Sequence, residues 1–318
     1  MDLDFEKPLA DIEARIDELT KLNENPSDKF NSEIDELRKK VRAMSKRIYG
    51  KLSPWQTVQV ARHKDRPGIR DYIGSAFTEF IELHGDRCFA DDHGIIGGFA
   101  TIEDRRVMLI GHQKGKTVEE NIQANFGMAN PDGYRKALRL MKLAEKYRLP
   151  VVSLIDTPGA YPGLDAEARG QAEAIARNLA EMSTLEVPIV AVVTGEGGSG
   201  GAIGIGVGDA VLMLSNAVYS VISPEGCAAI LWKDGSKAPE AADALKLTAQ
   251  SLLELGIIDA IIPEPPGGAH RAPEETMQNV KEAIVEQLDR LRKVSARRLV
   301  ERRYDKYAAM GRVSRKRR

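Results

Sequence analysis

Near the N-terminus, apolar residues recur in steps of three and four: Leu9, Ile12, Ile16, Leu19 and Leu22, then Ile34, Leu37, Val41, Met44 and Ile48. This period predicts two amphipathic helices, interrupted where Asn25-Pro26 breaks the pattern. Ser32 and Asp35 resemble a capping box for the second helix, with Asp in place of the usual Glu. Each helix carries one short apolar stripe flanked by charge, so it is expected to pack on the chain's own core or on a partner rather than to form a coiled coil. Farther on, residues 71–83 read as a helix, and 95–102 and 107–110 as strands joined by a turn at 103–106. Residues 133–147 read as a helix with Leu138, Met141 and Leu143 inward and Arg135, Lys136, Arg139 and Lys142 outward.

A strand at 150–155, a helix at 166–182 and a strand at 189–193 follow. Then come strands at 211–214 and 218–222, a helix at 238–255, a strand at 257–262 and a long amphipathic helix at 274–299. Helix, strand and glycine loop thus repeat over 135–163 and again over 166–201. That is an α/β pattern, which places ligands at the carboxyl ends of parallel strands.

The second of these loops is the densest in glycine. After the β-branched run 189–193 come Gly195, Gly197, Gly198, Gly200 and Gly201 around one Glu196 and one Ser199. So many glycines weaken regular structure, and the reading we favour is close approach of bare backbone to a ligand. Gly195-Glu196-Gly197-Gly198-Ser199-Gly200 spells the dinucleotide fingerprint, but the following apolar run ends in Ser215-Asn216 rather than an acid. Gly197-Gly198-Ser199-Gly200-Gly201 also spells a nucleophile elbow, with Asp259 and His270 in the right order behind it. A third reading is an oxyanion hole of backbone N–H groups, to which the loop at 156–163 would add donors; a turn with purely structural duty is the fourth.

Other motifs narrow the chemistry less. Gly111-His112-Gln113-Lys114-Gly115-Lys116-Thr117 has three residues between its glycines where a P-loop needs four, so ATP is not expected there. Lys114 and Lys116 remain candidates for phosphate contact, and Glu225 for acid–base work or a helix N-terminal carboxylate. Arg62, His63, Lys64, Arg66 and Arg70 form a basic cluster read as a solvated face. Lys+Arg is 46 against Asp+Glu 47, a balance that points to neither nucleic acid nor membrane. With Cys88 and Cys227 far apart and no CxxC pair, neither a disulfide framework nor a structural zinc site is expected, and no metal site is assigned. The acidic N-terminus and the lack of a membrane-length apolar run point to the cytoplasm. Arg312, Arg315, Lys316, Arg317 and Arg318 read as a solvated basic tail.

Several longer motifs together resemble one family. They are GDRCFADD (85–92), IGHQKGKT (110–117), NFGM (125–128), GYRKALRLM (133–141), IDTPGAYPG (155–163), RGQAEAIARNL (169–179), GEGGSGGAIGIGVGD (195–209), YSVISPEGCAAILWK (219–233) and IIPEPPGGAHR (261–271). The chain is similar, over nearly its whole length, to the α subunits of bacterial or plastid-type acetyl-CoA carboxylase carboxyltransferase. The resemblance implies an α/β, crotonase-like β-β-α superhelix with an N-terminal helical arm and a C-terminal helix; the expected divisions are the arm (1–30), a carboxyltransferase domain (31–293) and a basic C-terminal tail (294–318), whose end after Gly311 lies outside the resemblance. It implies transfer of a carboxyl group from carboxybiotin, borne on a biotin carboxyl carrier protein, to acetyl-CoA, giving malonyl-CoA for fatty acid synthesis, with no permanently bound cofactor. The implied partners are a zinc-ribbon β subunit in an α2β2 heterotetramer, the carrier protein and biotin carboxylase. Gly200, Gly201, Ala160 and Tyr161 are carried over as backbone donors of a biotin-side oxyanion hole, with Gly159, Gly198, Ser199, Lys114, Lys116 and Glu225 as substrate-binding candidates. The alternatives are a stand-alone crotonase-type acyl-CoA hydratase or hydrolase using Glu225 or Ser199, and a non-catalytic assembly subunit.

Overall fold

The computed structural model describes residues 3–22 and 28–311. The break at Asn25-Pro26 and the basic residues 312–318 lie outside the described residues. The two N-terminal helices form, α1 (Lys7–Leu22) and α2 (Asp28–Tyr49); they pack on one another with Leu9, Leu19 and Ile34 buried, so this helical arm runs past residue 30 to Tyr49. It is tied to the body by polar contacts. Glu6 accepts from the Tyr49 hydroxyl and lies 3.3 Å from His270 Nε2, and Arg271 pairs with Glu13.

After α3 (Pro54–Ala61), whose Ser53 and Gln56 close a capping box, comes α4 (Ile69–Ala76) and then β1 (Thr78–Glu82). The helix read over 71–83 is therefore corrected: its second half is an edge strand. Its pairing partner comes from farther along the chain, β2 (Ile95–Ile102), where Gly98 lets the backbone of Ile81 approach. A Cβ at Gly98 would stand 2.0 Å from the Ile81 carbonyl oxygen. β2 and β3 (Arg105–His112) form the expected antiparallel hairpin.

From β3 the sheet turns parallel. α5 (Val118–Gln123) and α6 (Pro131–Tyr147) lead to β4 (Val151–Thr157); α7 (Leu164–Ala168) and α8 (Gln171–Thr184) lead to β5 (Ile189–Gly198). α9 (Ser199–Ile203) is followed by β6 (Ala210–Leu214), β7 (Val218–Ser220), α10 (Pro224–Trp232), α11 (Ala238–Leu245), α12 (Ala249–Glu254), β8 (Ala260–Ile262), α13 (Pro273–Leu291) and α14 (Ala296–Ala309). Among the described residues the sheet order is β1-β2-β3-β4-β5-β6-β8, with β7 beside the far end of β5. β4, β5 and β6 are buried along almost their whole length, as a sheet covered on both faces requires.

Several long helices expected from the pattern are broken. Gly170 at φ +84° separates α7 from α8, and Lys246 at φ +53° ends α11. The segment 294–318 is not a tail throughout: α14 packs on the body with Leu299 and Arg303 buried. Arg303 donates to the carbonyls of Met182, Leu185 and Val187 and pairs with Asp209 at 2.8 Å, which is how a basic stretch becomes core. Lys136 is likewise buried rather than outward, because Asp91 and the Asp92 carbonyl meet its ammonium.

Candidate active site

The site begins where the β4–β5 ladder slips. The strands pair in step from Val151↔Ile189 to Ile155↔Val193, but the next pair is Thr157↔Gly197. Asp156 therefore faces Thr194, Gly195 and Glu196, a bulge of the kind that re-aims side chains beside active sites. Gly195, Gly197 and Gly198 are strand residues, not loop, because Glu196–Gly198 pair with Val218–Ser220 of β7. The dinucleotide reading fails on this point. Each glycine admits a specific neighbour: a Cβ would stand 2.4 Å from Asp156 Oδ1 at Gly195, 2.7 Å from the Tyr219 ring at Gly197 and 2.1 Å from the Pro158 carbonyl oxygen at Gly198.

Beyond the ladder the two loops touch. A Cβ on Gly201 would lie 2.5 Å from the Gly159 carbonyl carbon and 2.7 Å from Ala160 N. Thr157 shapes the first loop: its hydroxyl donates to the Gly159 carbonyl at 2.7 Å and receives the Gly159 N–H at 3.1 Å. The Ala160 N–H has no acceptor among the described residues. Gly200 and Gly201 lie in the first turn of α9, where amides have no partner within the helix. Tyr161 does not join them. Its N–H donates to the Ala129 carbonyl at 3.1 Å, so its expected role as a donor is corrected.

No side-chain nucleophile is armed here. Ser199 is exposed at φ +48° and its hydroxyl makes no hydrogen bond among the described residues. His270 faces Glu6 and Tyr49 and stacks on His63 at 4.1 Å, while Asp259 is held by Lys306 and the Val211 N–H. The elbow reading is overturned because its three members serve three different places. His112 is buried against the Gly201 backbone, and its ring nitrogens have no well-formed hydrogen bond among the described residues. Burial and the neighbouring Lys114 charge push its pKa down to about 3, which keeps the ring neutral.

Beneath the loops runs a chain of alternating charges. Lys114 Nζ lies 2.7 Å from Asp156 Oδ1 and 2.9 Å from Glu196 Oε2. Arg62 joins Glu196 at 2.7 Å to Glu225 at 2.5 Å. Burial raises the Glu196 pKa, but Lys114 and Arg62 outweigh it and hold the group below the usual carboxylate value. Lys114 is thus committed to carboxylates, not free for phosphate as expected, and Glu225 is a paired carboxylate at the start of α10. The basic cluster is also not simply solvated. Arg66 is buried against Glu264 at 2.5 Å, and Arg62, Lys64, Arg70 and Lys116 line a cavity of about 330 Å³ that reaches Lys114 and Asp156. A second, largely apolar cavity of about 520 Å³ opens beside Ser199 and Gly200, lined by Ile203, Tyr219 and Val221. Sequence reasoning missed Asp156, Arg62 and Thr157; the one available signal was a lone acid at the end of each glycine-flanked strand.

The chain was compared with known proteins. A family described as acetyl co-enzyme A carboxylase carboxyltransferase-like matches residues 2–311. The acetyl-coenzyme A carboxylase carboxyl transferase subunit alpha of Geobacter metallireducens is 56% identical over 312 residues, covering 98% of each chain. The protein of that name from Nitrosospira multiformis is 55% identical over 97% of this chain and 96% of its own. Among solved structures, transcarboxylase 12S with methylmalonyl-coenzyme A bound superposes with a TM-score of 0.59 at 20% identity, over 84% of this chain and 48% of that one. A Pseudomonas malonate decarboxylase hetero-tetramer in complex with coenzyme A gives 0.55 at 13% identity, over 68% and 87%. Likeness at such identity carries the fold alone, and it is the crotonase-like α/β fold expected from the motifs.

Proposed function

This chain belongs to the acetyl co-enzyme A carboxylase carboxyltransferase-like family, and we propose that it is the α half of a carboxyltransferase site that moves a carboxyl group from carrier-borne biotin to acetyl-CoA. The observation that supports the reading is the contact of Gly201 with the Gly159–Ala160 peptide, which sets the first turn of α9 beside an Ala160 N–H that has no acceptor among the described residues. In the reaction the bond from the biotin ureido nitrogen to the carboxyl carbon breaks and one to the acetyl methyl carbon forms. A methyl proton passes the other way, to the ureido nitrogen. Negative charge gathers on the ureido oxygen and on the thioester enolate oxygen. Amides of Ala160, Gly200 and Gly201 suit the first of these, since fixed donors stabilise charge that appears only during the reaction. The absence of an armed side-chain base is consistent with chemistry in which biotin itself accepts the proton.

A stand-alone hydratase or hydrolase is not supported, because Glu225 is paired and Ser199 has no base beside it. The second oxyanion hole is assigned to a β chain, with the cavity at the interface of an α2β2 assembly that also meets the biotin carboxyl carrier protein and biotin carboxylase. Lys64 and Arg70, which line the basic cavity, suit the phosphates of coenzyme A, whereas Lys116 lines it with its ammonium paired to Asp71 at 2.5 Å. The test is to titrate a carboxyltransferase β chain into this one and follow carboxyl exchange between malonyl-CoA and biotin. Exchange should rise from essentially nothing to a plateau at equal stoichiometry; substantial exchange by this chain alone would overturn the two-chain site.

A further inference from the structure

We infer that Lys114 is a positioning residue that fastens the ends of β4 and β5 together, so that the amides of Ala160 and Gly201 converge. The inference rests on reading those amides as an oxyanion hole. The ladder that aligns the two strands lapses between Ile155↔Val193 and Thr157↔Gly197, just before both loops begin. Pairing resumes at Thr157↔Gly197 and β7 holds the end of β5, but across the gap itself the spacing of the two strands is left to side chains. Three polar contacts fill the gap. Asp156 Oδ1 receives the Glu196 N–H at 2.9 Å and Lys114 Nζ at 2.7 Å, and the same ammonium reaches Glu196 Oε2 at 2.9 Å.

Both acids stand close to the donors they would place: Asp156 is four residues before Ala160 and Glu196 five before Gly201. The lysine is confined as well. A Cβ at Gly127 would come within 2.9 Å of Lys114 Cγ, and Gly195 leaves the space that the Asp156 carboxylate occupies. With its ammonium spent on two carboxylates, Lys114 is placed to hold the loops rather than to touch a substrate. Glu196 passes the connection on to Arg62 and so to Glu225 on α10, which anchors the clamp outside the loops.

The test uses the assembled carboxyltransferase. Lys114→Met should lower kcat for carboxyl transfer by about 100-fold, the scale of a lost oxyanion donor, with KM for acyl-CoA changed less than about threefold. Hydrogen exchange should quicken in segments 157–163 and 197–203 while β2 and β3 stay protected. Lys114→Arg, which can still bridge two carboxylates, should recover at least about tenfold of the loss. The triple variant Lys114→Met, Asp156→Asn, Glu196→Gln removes the charges left around the lost ammonium while Arg62 keeps Glu225 as its partner, so it should regain thermal stability yet remain slow. A wild-type kcat in Lys114→Met would overturn the inference. So would recovery of kcat along with stability in the triple variant, or a rise in KM alone, which would mean a substrate contact. An inactive wild-type assembly would sink the reading of function instead, and hydrogen exchange would then decide whether Lys114 holds the loops.

Discussion

At the scale of single residues, the glycines of this site are distinguished by what stands next to them. Gly201 abuts the Gly159–Ala160 peptide, whereas a Cβ on Gly200 would lie 3.4 Å from Ile175 Cδ1, an ordinary contact. Gly201→Ala should therefore wedge the two loops apart and reduce transfer by about 100-fold to 1,000-fold. Gly200→Ala should cost less than about tenfold, and Ser199→Ala should retain most activity. Steady-state exchange by the three variants, each checked for folding, ranks them. A Ser199→Ala enzyme as impaired as Gly201→Ala would restore a nucleophile to the mechanism. A larger side chain at Gly201 would strike the neighbouring loop rather than fill an empty site, so some stability should be lost with the activity.

At the scale of elements, the arm is the part whose attachment is most separable from the rest. Leu9 is fully buried, and Leu9→Ala should lower the free energy of opening α1 by about 2–4 kcal/mol, read from hydrogen exchange of that helix. Glu6 adds a pH dependence. Burial raises its pKa, but hydrogen bonds from His270 and Tyr49 outweigh that and hold it below its ordinary 4.5. A depressed carboxylate stabilises the fold above its unfolded value and loses that contribution as pH falls through its lower folded value. Arm protection should therefore persist down to about pH 4.5 and fade below it, and Glu6→Gln should remove that step. Protection that falls equally in the arm and in β4 would show that the arm has no separate attachment.

At the scale of the whole molecule, one short stretch of chain exposes several large apolar side chains. Val221, Ile230, Leu231 and Trp232 are exposed on and just before α10, the helix whose Glu225 joins the charge chain under the loops. Val221 also lines the apolar cavity beside Gly200. Exposed apolar groups on and just before the helix that carries Glu225 suit a partner's surface. Leu231→Asp should weaken association with the β chain by about 2 kcal/mol or more while leaving the melting temperature of the isolated chain nearly unchanged. Unaltered association, measured by sedimentation or titration calorimetry, would move the interface elsewhere.

What the sequence by itself determined was local. The β2–β3 hairpin, the starts of β4 and β5 and the helix read over 133–147 follow from periods of two and 3.6, because apolar spacing records which side of an element is buried. A row of glycines states that side chains cannot fit; it does not state what excludes them. Only the tertiary structure decided that Gly195 makes room for Asp156, that β5 runs on to Gly198 because β7 returns beside it, and that Ala129 takes the Tyr161 amide. The same holds for Lys114, Lys136, Arg66 and Arg303, which all read as surface or tail and are all buried or largely buried. A charge enters a protein interior when its counter-charge or carbonyls arrive from elsewhere in the chain, and for Lys114 they arrive from two strands at once. Spacing along one dimension cannot record a meeting of segments that only folding brings together.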